Sequence, residues 1–245
     1  MSVAPPAPAS ATRIVENAEN AESVLNGGNA GSPPKKRRPG PYENAPRLPL
    51  ASEMERVDLR TVVTGAWTEL EVGPGPKAGF LVERAEAAPE AALLGLEIRK
   101  KWAAVGDARL AKLGHAARAR VLCEDARLAL PRLGPDGSVK RAFLHFPDPW
   151  WKKRHTKRLV MGDVFLNEVS RLLEPGGELY VQTDVEERAE LYAGVVSQHP
   201  AFEPAGDEAG SPRLADNPYQ ARSPREHRAI ADGLPVYRFR WTKRR

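Results

Sequence analysis

The sequence has little of what a disulfide-bonded, zinc-binding or membrane-spanning protein requires. It contains one cysteine, Cys123, among 245 residues, which excludes an internal disulfide and a cysteine-rich zinc site and is typical of a reducing compartment. No apolar run approaches the roughly 18 residues that a membrane span needs. The N-terminus has no apolar stretch of the signal-peptide kind. These absences predict a soluble cytoplasmic protein.

The chain also lacks two common arrangements of functional residues. Histidine, cysteine and acidic residues do not cluster at metal-site spacing, so we predict no metal site. There is no lysine-containing phosphate loop. Cys123 lies in an apolar stretch and is interpreted as a core residue rather than a nucleophile. His145 lies within a predicted strand and is interpreted as structural.

Charge and proline are distributed unevenly along the chain. The net charge of +5, from 37 Lys and Arg against 32 Asp and Glu, weakly favours a polyanionic partner. Residues 1–50 hold nine of the 23 prolines and show no apolar periodicity, which predicts a disordered, Pro/Ala-rich basic tail before a domain over residues 51–245. Lys35 to Arg38 in this tail are either phosphate contacts or a solvated charge run.

From Trp67 onward the pattern alternates between strands and helices. This alternation predicts an α/β fold with a doubly wound, mostly parallel sheet. The predicted strands are residues 67–72, 93–98, 119–123, 139–146 and 178–182, with a late antiparallel strand at 236–241; the predicted helices are 80–88, 100–113, 164–173 and 186–197, and 200–220 is predicted to be loop.

Each of the first four long strands carries an acid at or just after its carboxyl end. These acids are Glu71, Glu97, Asp125 and Asp148. One such acid alone is more often a helix cap or a turn residue. Four at equivalent places would line a single crevice, because the carboxyl ends of parallel strands share one sheet edge and ligands bind there.

The residues around these acids favour a nucleoside ligand without phosphates. Gly73 and Gly75 form a turn after the first of these strands, where the backbone can approach a ligand closely. Glu97 is placed to accept hydrogen bonds from ribose hydroxyls, and Asp125 from an adenine amino group. S-adenosylmethionine (SAM) is such a ligand, and its sulfonium and ammonium groups suit a crevice lined by carboxylates.

The densest motif follows the fourth of these strands. Asp148 stands between two prolines, which cannot donate to a sheet ladder and therefore end the strand near Phe146. Two tryptophans and a basic cluster follow, and interleaved aromatic and basic residues suit stacked bases and phosphates. Asp148 could instead be a turn acid, the basic residues a solvated face, and either tryptophan a core residue.

These motifs closely resemble the signature of the bacterial tRNA (guanine-N7-)-methyltransferases, the TrmB-type enzymes. That family carries Phe-Pro-Asp-Pro-Trp, a lysine two residues later, then Arg-His and Lys-Arg, as residues 146–158 do. Leu70 to Gly75, Glu97 to Arg99 and Glu124 to Ala126 match its strand-end segments. The resemblance implies a seven-stranded Rossmann-like fold and methyl transfer from SAM to N7 of guanosine 46 in the variable loop of tRNA.

The resemblance also implies roles for individual residues. It assigns SAM to Glu71, Gly73, Gly75, Glu97, Asp125 and Asp148; the substrate nucleotide to Lys152, Asp184, Ser223 and Glu226; and the RNA backbone to Lys153, Arg154, His155, Lys157 and Arg158. Guanine N7 carries a lone pair and needs no strong general base, so Asp148 is the candidate catalytic carboxylate that stabilises positive charge developing on the purine. Asp184 accepts guanine N–H groups in this interpretation, and in the alternative it caps the helix beginning at Glu186.

Three residues depart from the family pattern. Lys77 stands where the family has a third glycine, Arg225 replaces an aromatic residue, and Trp151 replaces a residue that is often histidine. Two alternatives therefore stay open, namely a Rossmann-type methyltransferase with another substrate and a catalytically weak RNA-binding module of the same fold. The sequence leaves the oligomeric state open between monomer and homodimer.

Overall fold

The computed structural model describes residues 40, 42–50, 52, 55–147 and 160–245. Its strands are β1 (Val57–Asp58), β2 (Trp67–Val72), β3 (Ala91–Leu96), β4 (Ala119–Leu122), β5 (Leu133–Gly134), β6 (Val139–His145), β7 (Leu173–Thr183), β8 (Phe202–Pro204), β9 (Arg213–Leu214) and β10 (Tyr237–Lys243). Its α-helices are α1 (Gly79–Ala87), α2 (Lys100–Lys112), α3 (Ala126–Ala129), α4 (Asp163–Leu172), α5 (Glu186–Gln198) and α6 (Pro224–Ala231). Across these described ranges, no helix is both long and apolar enough to cross a membrane.

The described strands form one large sheet and one small one. The large sheet runs β4-β3-β2-β6-β7-β10-β8, with β9 paired to β10, and β1 pairs with β5 separately. Strands β4, β3, β2, β6 and β7 are mutually parallel, and β10 is antiparallel to β7. The predicted doubly wound, mostly parallel sheet is confirmed, with one short strand more than the seven expected.

Burial explains why these segments form their elements. Every residue of β3 is buried, as expected of a central parallel strand covered on both faces. In α4 the buried residues Phe165, Leu166, Val169 and Leu172 recur at helical spacing and give one apolar face. Except for the strand predicted at 178–182, the bounds of each predicted strand and helix match those of an observed element within one or two residues.

The short elements β1, α3 and β5 were not predicted, and four longer segments also differ from the prediction. Strand β7 begins at Leu173 rather than 178, with a register irregularity against β6. Residues 200–220 contain β8 and β9, and α6 was not predicted, although Ser223 with Pro224 and Glu226 forms a helix-start signature. Residues 42–50 fell within the predicted tail, yet they pack on the domain: Ala45 and Leu48 are buried, and the Pro46 carbonyl accepts the Cys123 N–H at 2.6 Å.

A buried ion cluster joins α1 to the sheet and to the chain between β9 and α6. Arg84 donates to both carboxylate oxygens of Glu69 at 2.8 Å, and Arg141 donates to Glu69 at 2.9 Å. Arg84 also donates to the Tyr219 carbonyl at 2.8 Å. Burial alone would raise the pKa of Glu69, but Arg84, with Trp67 and Arg141, holds it below its ordinary value. The cluster therefore fixes the segment before α6 against α1 and the sheet.

Candidate active site

A cavity of about 880 Å³ lies at the carboxyl ends of β2, β3, β4, β6 and β7. The loops that follow these strands and the start of α6 line it. This is the edge at which open α/β sheets bind ligands. The structure brings Glu71, Gly73, Gly75, Glu97, Asp125, Asp184 and Ser223 to this cavity.

The glycine turn after β2 leaves its backbone open to the cavity. Gly73 and Gly75 have positive φ angles of 74° and 70°, which glycine adopts without steric cost. A Cβ at either position would meet no atom within 4 Å, so the space beside the turn is free. The turn is held by Glu97, whose Oε2 accepts the Gly75 N–H at 3.0 Å.

Glu97 is fixed by backbone donors on two sides. Its Oε1 accepts the Arg99 N–H at 2.8 Å, while its Oε2 bonds Gly75. Burial raises the pKa of Glu97 above its ordinary value, and the two backbone hydrogen bonds oppose that effect. The carboxylate is thus rigid and lies between the glycine turn and the start of α2, where it lines the cavity.

Asp125 lines the cavity and also caps a helix. Its Oδ1 accepts the Arg127 N–H at 3.0 Å at the start of α3, and the Arg127 guanidinium bonds both carboxylate oxygens at 3.0 and 2.6 Å. The side-chain hydrogen bond from Arg127 lowers the pKa of Asp125. The cap and the predicted adenine contact are compatible, although an adenine amino group would share the carboxylate with Arg127.

Glu71 pairs with a histidine on the neighbouring strand. His145 Nδ1 lies 2.7 Å from Glu71 Oε1, and both side chains are nearly fully buried. A carboxylate offers only lone pairs, so Nδ1 donates. Glu71 Oε2 is buried and has no hydrogen-bond partner among the described residues. His145 lies at the end of β6, as expected of a strand residue, and it also lines the cavity.

The chain turns sharply where β6 ends. Phe146 has a φ of 46°, an uncommon value for a bulky residue, and its N–H donates to the Gln182 carbonyl at 2.8 Å. Phe146 and Pro147, the first two residues of the signature segment (residues 146–158), line the cavity. Asp148, Lys152, Lys153, Arg154, His155, Lys157 and Arg158 lie outside the described residues, as do both tryptophans.

Asp184 is paired with α6 and does not cap α5. The N-cap of α5 is Val185, and Asp184 Oδ2 accepts two hydrogen bonds from Arg225, one of them from Nε at 2.8 Å. Arg225 lines the cavity beside it. The alternative helix-cap role of Asp184 is therefore wrong. Arg225, at the position where the family has an aromatic residue, instead orients Asp184, the residue predicted to bind the guanine base.

Ser223 and Glu226 belong to the same helix start but have different surroundings. Ser223 Oγ accepts the Glu226 N–H at 3.1 Å and lines the cavity, so its hydroxyl proton remains available to a ligand. Glu226 is 0% exposed and accepts from Arg238 at 3.0 and 2.9 Å and from Asn217 at 2.9 Å. It is not among the residues that line the cavity, so its contribution is to hold α6 in place.

The cavity also contains residues that the sequence alone did not single out. Arg99 lies over the Trp102 ring, 4.0 Å from its centroid, at the start of α2. Arg228 lies one turn after Arg225 on α6. Because α2 begins directly after the strand-end acid Glu97, the sequence could have placed Trp102 at the cavity. No local sequence pattern places Arg228 there.

The backbone conformation of Lys77 explains why the family has a glycine at this position. Its φ is 67°, in the left-handed region that glycine adopts freely. The Lys77 carbonyl accepts from Arg109 at 3.2 Å. The exposed side chain lies beside Arg109 and Lys112, and Lys77 is not among the residues that line the large cavity. The substitution strains the turn and leaves the glycine-lined space free.

The described residues fit SAM. The glycine turn offers open space, Glu97 is a fixed carboxylate of the kind that accepts from ribose hydroxyls, and the buried Oε2 of Glu71 suits a cationic group. Within the part of the chain that the structure describes, no group of three His, Cys, Asp or Glu residues could hold a metal ion.

Comparisons with known proteins agree with this geometry. A family described as putative methyltransferase matches residues 66–239. The tRNA (guanine-N(7)-)-methyltransferase of Anaeromyxobacter dehalogenans is 43% identical over 180 residues, covering 73% of this chain and 87% of its own. That of Myxococcus xanthus is 35% identical over 175 residues, covering 71% and 82%.

Solved structures share the fold at lower identity. The 16S rRNA methyltransferase KamB has a TM-score of 0.52 at 17% identity, covering 76% of this chain and 91% of its own. TrmN from Thermus thermophilus has a TM-score of 0.51 at 20% identity, covering 76% and 46%. By sequence, fold and the strand-end residues of its cavity, the chain belongs to the tRNA (guanine-N7-)-methyltransferase family.

Proposed function

We propose that the protein transfers a methyl group from SAM to N7 of a guanosine in the variable loop of tRNA, in the cytoplasm. The observation that carries this proposal is the division of one cavity between two kinds of residue. Acids at the ends of β2, β3 and β4 lie on one side, and Asp184 with Arg225 lies beyond β7 on the other. The first side suits a cationic nucleoside and the second suits a base with N–H donors.

SAM supplies an electrophilic methyl group on a sulfonium sulfur. The chain's own residues bind SAM and orient it toward the guanine base. Glu97 faces the ribose, Asp125 faces the adenine, and the backbone of Gly73 and Gly75 permits close approach. Because guanine N7 attacks through its lone pair, most of the rate is expected to come from holding the two reactants in line.

The substrate side is proposed to recognise the guanine edge. Asp184 accepts from N1–H and N2–H₂, which guanine presents and adenine does not. Arg225 holds its carboxylate, and Ser223 adds a hydroxyl donor. With the wrong base, the Asp184 carboxylate loses the hydrogen bonds that guanine would donate and keeps, among the described residues, only those from Arg225, which is costly. Lys152 is proposed to contact the same nucleotide.

Two parts of the proposal rest on the signature segment that follows Pro147. Asp148 is proposed to stabilise positive charge on the methylated purine. The cluster from Lys153 to Arg158 is proposed to contact backbone phosphates, which give affinity with little sequence information. The positive net charge of the chain is consistent with such an RNA partner.

The test is methyl transfer from labelled SAM to unmodified tRNA, with the product located by cleavage at 7-methylguanosine. Cleavage at one variable-loop guanosine would support the proposal. Transfer at another base would retain the fold and cofactor but discard the substrate. RNA binding without transfer would favour the binding-module alternative.

Two variants sharpen this test. Asp148→Asn is expected to abolish turnover in a folded protein, and near-normal turnover would remove Asp148 from the mechanism. Lys157→Gln with Arg158→Gln is expected to weaken tRNA binding and flatten its dependence on salt. A full salt dependence in that variant would make the pair surface charges.

A further inference from the structure

The pair formed by Glu71 and His145 lies at the point where the two sides of the cavity meet. Glu71 is the second-last residue of β2 and His145 is the last residue of β6, and these strands are neighbours in the sheet. Glu71 is 1% exposed and His145 7% exposed. A buried carboxylate is costly unless it is paired, and the described residues give Glu71 one hydrogen bond, from an imidazole.

The sheet order indicates which end of SAM reaches this pair. Asp125 follows β4 and Glu97 follows β3, so the adenosine end lies over those two strands. The next strands in the sheet are β2 and β6. Because neighbouring strands are about 4.8 Å apart, β4 and β6 are separated by about 14 Å. The methionine end, with its ammonium group, therefore falls over Glu71 and His145.

The ring of His145 cannot turn freely in its site. Its centroid lies 4.3 Å from that of Phe80 and 5.6 Å from that of Phe143, and Tyr180 stands edge-on to it at 5.8 Å. This packing fixes the direction of the Nδ1–H bond. The donor in turn holds Oε1 of Glu71 and leaves Oε2 as the oxygen without a described partner.

We propose that His145 is a positioning residue that holds the Glu71 carboxylate for the ammonium group of SAM. This inference rests on the proposed use of SAM. His145 binds through Nδ1 and fixes one oxygen of Glu71. The other oxygen then accepts from the ammonium group. In this way a strand residue of the aromatic core contributes to recognition of the amino-acid end of the cofactor.

Two nucleosides separate this role from a structural one. S-adenosylhomocysteine carries the ammonium and carboxylate groups, whereas 5′-methylthioadenosine carries neither. Dissociation constants of both are measured by calorimetry on the full chain without RNA. In His145→Phe, which keeps an aromatic ring, S-adenosylhomocysteine is expected to bind about tenfold more weakly. Binding of 5′-methylthioadenosine is expected to stay within about twofold.

Two further variants serve as controls. His145→Asn retains an N–H donor and is expected to recover most of the lost affinity for S-adenosylhomocysteine. Phe143→Leu disturbs the same aromatic cluster without removing the donor to Glu71. It is expected to lower thermal stability and leave the ratio of the two affinities unchanged.

The outcomes divide clearly. Equal losses for both nucleosides in His145→Phe, or no loss for either, would overturn the positioning role while the proposed function stands. The same ratio change in Phe143→Leu as in His145→Phe would also overturn it, since packing alone would then account for the effect. Failure of the wild-type protein to bind S-adenosylhomocysteine would overturn the proposed cofactor and this inference together.

Discussion

Arg225 on α6 donates two hydrogen bonds to Oδ2 of Asp184, which follows β7, and both residues line the cavity. The pair links segments 41 residues apart in the chain. It gives the carboxylate one orientation, with Oδ2 engaged by the guanidinium. The resemblance had placed an aromatic residue at position 225, so this chain supports the same acid with a charged group instead.

Removal of the hydrogen bonds from Arg225 to Asp184 is expected to lower activity on tRNA without changing affinity for the cofactor. In Arg225→Gln, Asp184 loses its two guanidinium donors, and kcat/KM for tRNA is expected to fall about tenfold, with S-adenosylhomocysteine affinity unchanged. Arg213→Gln, which breaks the exposed pair with Glu190, is the matched control and should leave both quantities unchanged. A lower cofactor affinity in Arg225→Gln would contradict the assigned position.

The contact between Gly79 and Pro224 predicts a stability effect. A Cβ on Gly79 would lie 2.3 Å from Pro224 Cγ and 2.7 Å from Cδ, so the start of α6 would have to move. Gly79→Ala is expected to reduce the free energy of unfolding by about 1–3 kcal/mol and to lower activity, because Ser223 and Arg225 move with α6.

Gly194 provides the control for this change. It lies in the interior of α5, and a Cβ there would meet nothing within 4 Å. Gly194→Ala is expected to raise the free energy of unfolding by about 0.5–1 kcal/mol. Urea denaturation measures both variants, and a Gly79→Ala protein as stable as the wild type would show that α6 is not held at this contact.

Lys77 is expected to limit stability through its backbone. Lys77→Gly relieves the left-handed φ of 67° and should raise the free energy of unfolding by about 0.5–1 kcal/mol, since the steric gain exceeds the entropy that glycine adds to the unfolded chain. Lys77→Ala keeps a Cβ and should give no gain. If both variants were stabilised equally in thermal unfolding, the lysine side chain and not the backbone would be the cause.

The ion cluster around Glu69 predicts a pH dependence of stability. The folded pKa of Glu69 is lowered from an ordinary value of 4.5. Its stabilisation is therefore present above pH 4.5 and is lost as the pH falls through the lower folded pKa. Glu69→Gln should cost about 3 kcal/mol at pH 7, because it leaves Arg84 buried without its full partner.

The difference between wild type and Glu69→Gln should shrink as the pH falls below 4.5. Urea denaturation between pH 3 and pH 7 measures it. Glu190→Gln, at an exposed ion pair, is the control and should change little at any pH. A difference that stayed constant down to the lowest pH would contradict the assignment of an ionised Glu69 to the fold.

Local signals were enough to predict the sheet and much of the cavity. Strand and helix periodicities repeat from Trp67, and parallel strands bring their carboxyl ends to one edge. The acids Glu71, Glu97 and Asp125 could therefore be assigned to one crevice from their places in the chain. Helix α6 also had a local signal, the Ser-Pro-x-Glu start at Ser223, but this was interpreted only as a family motif.

The tertiary structure alone decided what each of these side chains contacts. The bond from His145 to Glu71 spans 74 residues, that from Arg225 to Asp184 spans 41, and Glu226 is paired with Arg238 on a later strand. Periodicity and motif spacing report the face and the end of an element on which a residue lies. The order of strands in the sheet and the close packing of α6 on the start of α1 determine its partner, because hydrogen bonds act only over about 3 Å. The sequence by itself thus determined the fold and the side of the sheet that binds ligands, and the folded chain determined which acids are left to bind them.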